Sequence, residues 1–293
     1  MKAFAHYHPV VLLVYFSAVL LVAMFAANPV LESSALLGGA LFSLMLQRRG
    51  EIAGNVGFYV PLFLMVAVTN PLFSHNGVTP LFFLNGNPVT LEAFVYGLFI
   101  AVMVVGVMLW SKCCGECITE DKFLYLFGKA APKLSLVLSM ALRFVPRFRR
   151  QLHTVNRAQR AMGLYSSRSF MDKIHSAMRV FMAMIAWSFE NAMETAASMR
   201  ARGYGMKGRT SFSLFRFYAN DGVLLAVSAL LVAVTATGMA AGMTTFYYYP
   251  RISGLHFSPA ALAVYGSFLL LSLLPFVLEV KEALVWKYCI SRI

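Results

Sequence analysis

The chain has 293 residues, 59% of them hydrophobic and 13% charged, with a mean hydropathy of +0.70. Soluble domains are roughly 45–50% apolar and about 25% charged, so this composition excludes an ordinary water-exposed globule, and also a disordered chain, which needs the opposite bias. Lys and Arg number 25 against 12 Asp and Glu, a formal net charge of +13, and where that charge sits is informative.

The composition predicts an all-α membrane protein. Apolar stretches at residues 10–27, 35–46, 56–73, 94–110, 222–241 and 260–278 are the six candidates for spanning helices. A span takes about 20 mainly apolar residues, and 35–46 is the shortest of the six. None of them contains Lys, Arg, Asp or Glu. A charge at the bilayer centre costs roughly 2.5–3.5 kcal/mol on insertion scales. The first stretch follows only Lys2 and, at 18 residues, is long for the apolar region of a signal peptide. It is expected to stay as an uncleaved membrane helix.

Basic residues orient the loops. Lys2 precedes the first stretch, and Arg48 and Arg49 follow the second. Loops 28–34 and 74–93 hold no Lys or Arg, and 242–259 holds only Arg251. The C-terminal end carries Lys281, Lys287 and Arg292. Both termini are therefore expected in the cytoplasm, and six spans put residues 111–221 there as well. The expected domains are a membrane region at 1–111 with about four helices, a basic cytoplasmic domain at 112–221, and a membrane region at 222–293 with about two. Residues 111–221 hold 18 of the 25 basic and seven of the 12 acidic residues, which is +11 of the total +13.

Cys113, Cys114, Cys117 and Cys289 form no disulfide framework. Cys114 and Cys117 have C-x-x-C spacing, but no second Cys or His pair completes a tetrahedral zinc site. They read as free thiols at the cytoplasmic end of a membrane helix. The histidines at 6, 8, 75, 153, 175 and 256 are scattered.

Two long helical patterns dominate the basic domain. In the first, Ala141, Val145, Phe148, Leu152, Val155 and Met162 form an apolar face, with Arg143, Arg147, Arg150, Arg157 and Arg160 on another. Pro146 lacks an amide hydrogen and predicts a kink or restart near Val145. The second pattern runs from about Asp172 to Arg202, with a stripe of Ile174, Met178, Phe181, Ile185, Phe189, Ala192, Ala196 and Met199. Its residues 177–193 are apolar nearly all round and include Met178, Met182, Met184 and Met193. Such a helix must be covered, either by the membrane and the protein's own bundle or by other membrane subunits.

Each helix ends on a basic residue followed by glycine: Gln159-Arg160-Ala161-Met162-Gly163 and Met199-Arg200-Ala201-Arg202-Gly203, offset by 40 residues. Arginine near a helix C-terminus and glycine just past it are ordinary capping. Two such tips in one basic domain also suit a partner that offers two similar carboxylate-lined grooves.

With these two tips, the sequence resembles the transmembrane (T) component of energy-coupling factor (ECF) transporters, the EcfT/CbiQ family. The resemblance rests on Thr69-Asn70-Pro71-Leu72-Phe73, Asp121-Lys122-Phe123, Ala141-Leu142-Arg143-Phe144-Val145-Pro146, Arg157-Ala158-Gln159-Arg160-Ala161-Met162-Gly163, Glu190-Asn191-Ala192-Met193-Glu194 and Ser198-Met199-Arg200-Ala201-Arg202-Gly203-Tyr204-Gly205. It implies a non-catalytic subunit with no cofactor of its own. Two cytoplasmic ABC ATPases would bind and hydrolyse ATP, and a membrane S component would bind a vitamin or metal ion. The two long helices would be coupling helices, with their tips in grooves on the ATPases. By position the second tip, Ala201-Arg202-Gly203, matches the family's Ala-Arg-Gly pattern, whereas the first, Ala161-Met162-Gly163, has Met162 in place of arginine. Either Arg160 serves instead or Met162 makes an apolar contact. The same resemblance implies S-component docking on Met178, Phe181, Met182, Ile185 and Phe189.

Other features fit a part that borrows its energy. The sequence has no G-x-x-x-x-G-K-[ST] phosphate loop, and the absence of carboxylates within the six stretches argues against a proton-driven pump. A membrane scaffold binding anionic lipid is the competing reading. Nucleic acid is not expected, because aromatic residues do not alternate with the basic ones. An enzyme acting on phosphorylated lipids lacks a plausible base beyond Glu190, Glu194 and the histidines.

Overall fold

The computed structural model describes residues 3–47, 49–74, 76–84, 87–163, 170–206, 215–255 and 257–290. Lys2, Arg48, His75, Arg168, Lys207, Arg209, His256 and Arg292 lie outside the described residues. The chain divides into two compact units, one made of Met1–Phe123 with Phe215–Ile293 and the other of Leu124–Leu214.

The first unit opens with a single 3-10 turn, Phe4–His6, followed by α1, Pro9–Phe25, and α2, Pro29–Leu46. Then come α3, Arg49–Phe73, the strands β1, Pro80–Leu84, and β2, Asn87–Thr90, and α4, Leu91–Cys117. After the second unit, α8, Ala219–Ala240, and α9, Pro259–Ile290, complete it. Among the described residues, α2, α4, α8, α9 and residues 52–73 of α3 are long and apolar enough to cross a membrane. The sixth expected span, α1, is a 17-residue apolar helix, about 25 Å long, so the first stretch and not the second is the shortest.

Three expectations are corrected here. Residues 28–34 are not a loop: α2 begins at Pro29, because Asn28 accepts a hydrogen bond from the Val30 amide at 2.9 Å and Pro29 occupies the first helical position. The charge-free stretches therefore extend into helices that do carry carboxylates, namely Glu32 in α2, Glu92 in α4 and Glu279 in α9. Residues 74–93 are not a plain loop either, because β1 and β2 pair antiparallel there, with Phe83 opposite Pro88. Asn85-Gly86 in the sequence is the hairpin signal. The Glu92 carboxylate closes the hairpin base by accepting from the Thr79 hydroxyl at 2.7 Å and the Thr79 amide at 3.3 Å.

The core is aromatic. Phe4, Tyr15, Phe16, Phe42, Trp110 and Phe268 are fully buried, and Phe4 meets Tyr15, Phe16 and Phe42 edge-on at 5.3–5.9 Å. The polar tips of Trp110 and Tyr15 find partners, as most buried polar groups do. Trp110 Nε1 donates to the Ala35 carbonyl at 2.9 Å, and the Tyr15 hydroxyl to the Leu271 carbonyl at 2.7 Å. These bonds tie α4 to α2 and α1 to α9. Cys113 and Cys117 pack in this core, Cys114 is half-buried and Cys289 exposed, all as free thiols.

The N-terminal segment is pinned by three ionisable side chains from distant parts of the sequence. Glu279 accepts from the Phe4 amide at 3.0 Å. The Lys122 ammonium donates to the carbonyls of Ala5 and Cys117, and burial lowers its pKa below the ordinary lysine value. Asp221 accepts from the His8 amide and, three residues back on its own helix, from the Tyr218 amide, both at 2.9 Å. His8 in turn caps α1 by accepting from the Val10 amide. Lys122 and Asp221 flank the points at which the chain leaves and re-enters this unit.

Small residues set the helix spacing, as they do in membrane interfaces. A Cβ added at Gly38 of α2 would stand 2.6 Å from both Cβ and the carbonyl oxygen of Ser272 in α9, and one at Gly97 would stand 2.6 Å from the Ala67 carbonyl. Gly38→Ala is therefore expected to lower stability by about 1–3 kcal/mol, read as a lower thermal unfolding midpoint in detergent. Gly54→Ala, with nothing within 4 Å, is expected to leave the midpoint in place or raise it. Asp221→Ala leaves two backbone donors without their acceptor and is expected to cost about 1–3 kcal/mol in the same measurement, with faster hydrogen exchange at His8 and Tyr218.

Candidate functional site

The second unit contains most of the short helix α5, Glu120–Ala130, and the two long helices α6, Pro132–Ala161, and α7, Phe170–Ala201. With 30 and 32 residues, α6 and α7 are about 45 and 48 Å long. Propensity alone does not sustain helices of this length, and their amphipathic faces must be covered. The helix α6 runs through Pro146 as one element, so of the expected kink or restart the restart does not occur. One lost amide bond is tolerated where the flanking turns are intact.

The two helices meet through the rings of Phe144 and Trp187, stacked at 5.5 Å with 24° between planes, and Phe148 lies 5.8 Å from Phe144. Around this joint they enclose a groove of about 1140 Å³. Leu136, Met140, Phe144 and Phe148 line it from α6, and Phe181, Met184, Ile185 and Phe189 from α7. The guanidinium-bearing residues Arg143, Arg147 and Arg202 also line it, as does Glu194. Of the apolar face read on α6 from Ala141, Val145, Phe148, Leu152, Val155 and Met162, Phe148 borders the groove and the others do not. Val145 is exposed, together with Leu134 and Val137. The residues Leu136, Met140, Phe144 and Phe148, four apart, face the groove.

At the end of α6, the Met162 amide donates to the Ala158 carbonyl at 3.1 Å and the Gly163 amide to the Arg160 carbonyl at 3.0 Å. Gly163 has φ +76°. At the end of α7, the Gly203 amide donates to the Arg200 carbonyl at 2.9 Å and the Tyr204 amide to the Met199 carbonyl at 3.0 Å. Gly203 has φ +77°. That bond pair is a complete Schellman closure, which needs a left-handed residue at this position and favours glycine. The chain turns off the helix axis within one residue. Arg160, Ala161, Met162 and Gly163 on the first tip are exposed, as are Arg200, Ala201 and Arg202 on the second, with Gly203 half-covered. Met162 is 67% exposed, so it is largely uncovered despite its place in the apolar pattern.

The five residues of the predicted docking stripe divide in two. Phe181, Ile185 and Phe189 border the groove, whereas Met178 and Met182 do not. Met178, Phe181, Met182 and Phe189 are between 54% and 67% exposed, and Ile185 is half-buried. The alignment of Arg143 and Arg147 with Arg202 along one groove was not read from the sequence. Its signal is the i, i+4 spacing of Arg143 and Arg147 one position ahead of Phe144 and Phe148.

No sequence-family model matches the chain. Curated relatives do. The energy-coupling factor transporter transmembrane protein EcfT 1 of Listeria monocytogenes is 27% identical over 186 residues, 59% of this chain and 69% of that protein. The EcfT proteins of Listeria innocua and Bacillus selenitireducens are 36% and 35% identical over 101 and 103 residues, each covering 34% of this chain. The chain spans 38% of the length of each of these two. With its apolar multi-pass helices, the chain is similar to energy-coupling factor transporter transmembrane proteins over up to 59% of its length.

Proposed function

We propose that this chain is the coupling subunit of an importer, passing movements of two cytoplasmic ATPases to a membrane S component that binds a vitamin or metal ion. It hydrolyses nothing itself. The observation that carries this reading is the pair of long helices whose left-handed glycines, Gly163 and Gly203, leave basic tips in the open. The relatives are named as transporter transmembrane proteins, which supports the same role.

In this account each ATPase holds one tip: Arg200-Ala201-Arg202-Gly203 in one groove, Arg160-Ala161-Met162-Gly163 in the other. A guanidinium offers paired, fixed donors to a carboxylate. The exposed position of Met162 supports an apolar contact at the first tip, beside Arg160. When the ATPases close on nucleotide, the tips move, and rigid helices carry that displacement to their far ends. The exposed Met178, Phe181, Met182 and Phe189 then provide an adaptable surface for the S component. Both termini and the coupling helices lie in the cytoplasm. The +11 charge of residues 111–221 and an even number of crossings, counting α1, support that orientation.

Arg202→Glu reverses a charge that meets carboxylates in this scheme, and losing such a pair costs about 2–5 kcal/mol. Substrate uptake by cells carrying the complete transporter should fall to background while the variant still inserts in the membrane. Normal uptake contradicts the assignment. Gly203→Val places a β-branched residue in the left-handed region, a cost of about 1–2 kcal/mol or more. It should redirect the second tip and reduce ATPase co-purification from mild detergent, and wild-type recovery would remove the geometric basis of the coupling.

A further inference from the structure

Among the buried acids of the first unit, Glu32 stands apart. Glu92, Asp221 and Glu279 each accept hydrogen bonds. Glu32 is 1% exposed, and neither of its carboxylate oxygens has a hydrogen-bond partner. A carboxylate taken out of water without a partner is strongly unfavourable as a charge, so it either keeps its proton or meets a positive ligand.

Glu32 borders a cavity of about 150 Å³ shared by Pro29, Val95, Phe99, Phe246 and Tyr248. The Tyr248 ring lies 4.8 Å from Phe99, 4.7 Å from Phe246 and 5.2 Å from Tyr96. The hydroxyls of Tyr248 and Tyr249 are buried without a partner as well. Ser33 and Leu98, both exposed, mark the mouth. The site stands at the start of α2 and α4 and in the α8–α9 connection, away from the pinned N-terminal segment at the opposite ends of these helices.

The chemistry narrows the ligand. Among the described residues no three His, Cys, Asp or Glu side chains gather to hold a metal ion, and a hard divalent cation wants several oxygens. Aromatic faces attract cations that carry apolar substituents. We propose that the cavity beside Glu32 is a binding site for an alkylammonium group, carried by a free amine or by an aminophospholipid headgroup. Glu32 neutralises the charge, while Phe99, Phe246 and Tyr248 cover the alkyl part.

The full-length chain in detergent, titrated calorimetrically with tetramethylammonium chloride at constant ionic strength, should show saturable binding. Glu32→Gln should weaken that binding about tenfold to a hundredfold, the loss expected for a charge-assisted contact. Phe99→Leu, which keeps the carboxylate, should weaken it too, and this decides the matter if Glu32→Gln does not fold. Native mass spectrometry of the chain from nanodiscs of mixed phosphatidylethanolamine and phosphatidylglycerol separates the sources. Phosphatidylethanolamine retained by the wild type and lost in Glu32→Gln identifies the headgroup, whereas tetramethylammonium binding without retained lipid identifies a free amine. No saturable tetramethylammonium binding and no retained phosphatidylethanolamine, or equal binding by the folded Glu32→Gln chain, overturns the proposal.

Discussion

The hydrogen bonds from Gly203 to Arg200 and from Tyr204 to Met199 end a 32-residue helix within a single residue. A helix must satisfy its last carbonyls somewhere. Here it does so internally, through a left-handed glycine, and its terminal side chains stay available. Without that closure the terminal carbonyls would seek other donors and the basic end would not be presented in one direction. Gly163 repeats the arrangement on α6 with a bond to Arg160. The proposed mechanics rest on this local constraint: a lever needs a stiff rod and a fixed end.

The two units meet their packing demands in different ways. In the membrane unit, aromatic rings and close glycine contacts fill the interior, and nearly every buried polar tip is tied to a backbone atom. In the Leu124–Leu214 unit, many large side chains stay uncovered: Leu134 and Val137 on α6, Met178, Phe189 and Met193 on α7. An isolated water-soluble domain does not leave such surface bare. It fits a part that is completed by membrane and partner proteins.

How far the sequence reveals this depends on the range of the interaction. Helix periods, the Asn28-Pro29 start of α2, the Asn85-Gly86 hairpin signal and the tip glycines are all local chemistry, even where hydropathy does not pick them out. Hydropathy alone cut α2 short because Glu32, Ser33 and Ser34 look like loop residues. The pinning of Phe4 by Glu279 and of His8 by Asp221 joins residues 275 and 213 positions apart. No periodicity encodes such pairs. The groove side of α6 is only partly legible for another reason: Phe148 belongs to the apolar pattern, but the stacking of Phe144 on Trp187, a contact between two helices, selects which neighbouring residues face the groove.

Site-directed cross-linking at the second tip tests the central claim most directly. A single cysteine replacing Ala201, with the four native cysteines removed, would be cross-linked in native membranes and the attached protein identified. The account predicts a nucleotide-binding subunit, with a yield that changes when ATP is added. A correctly inserted chain whose tip captures no nucleotide-binding protein, under conditions in which the cell imports substrate through it, would contradict the account.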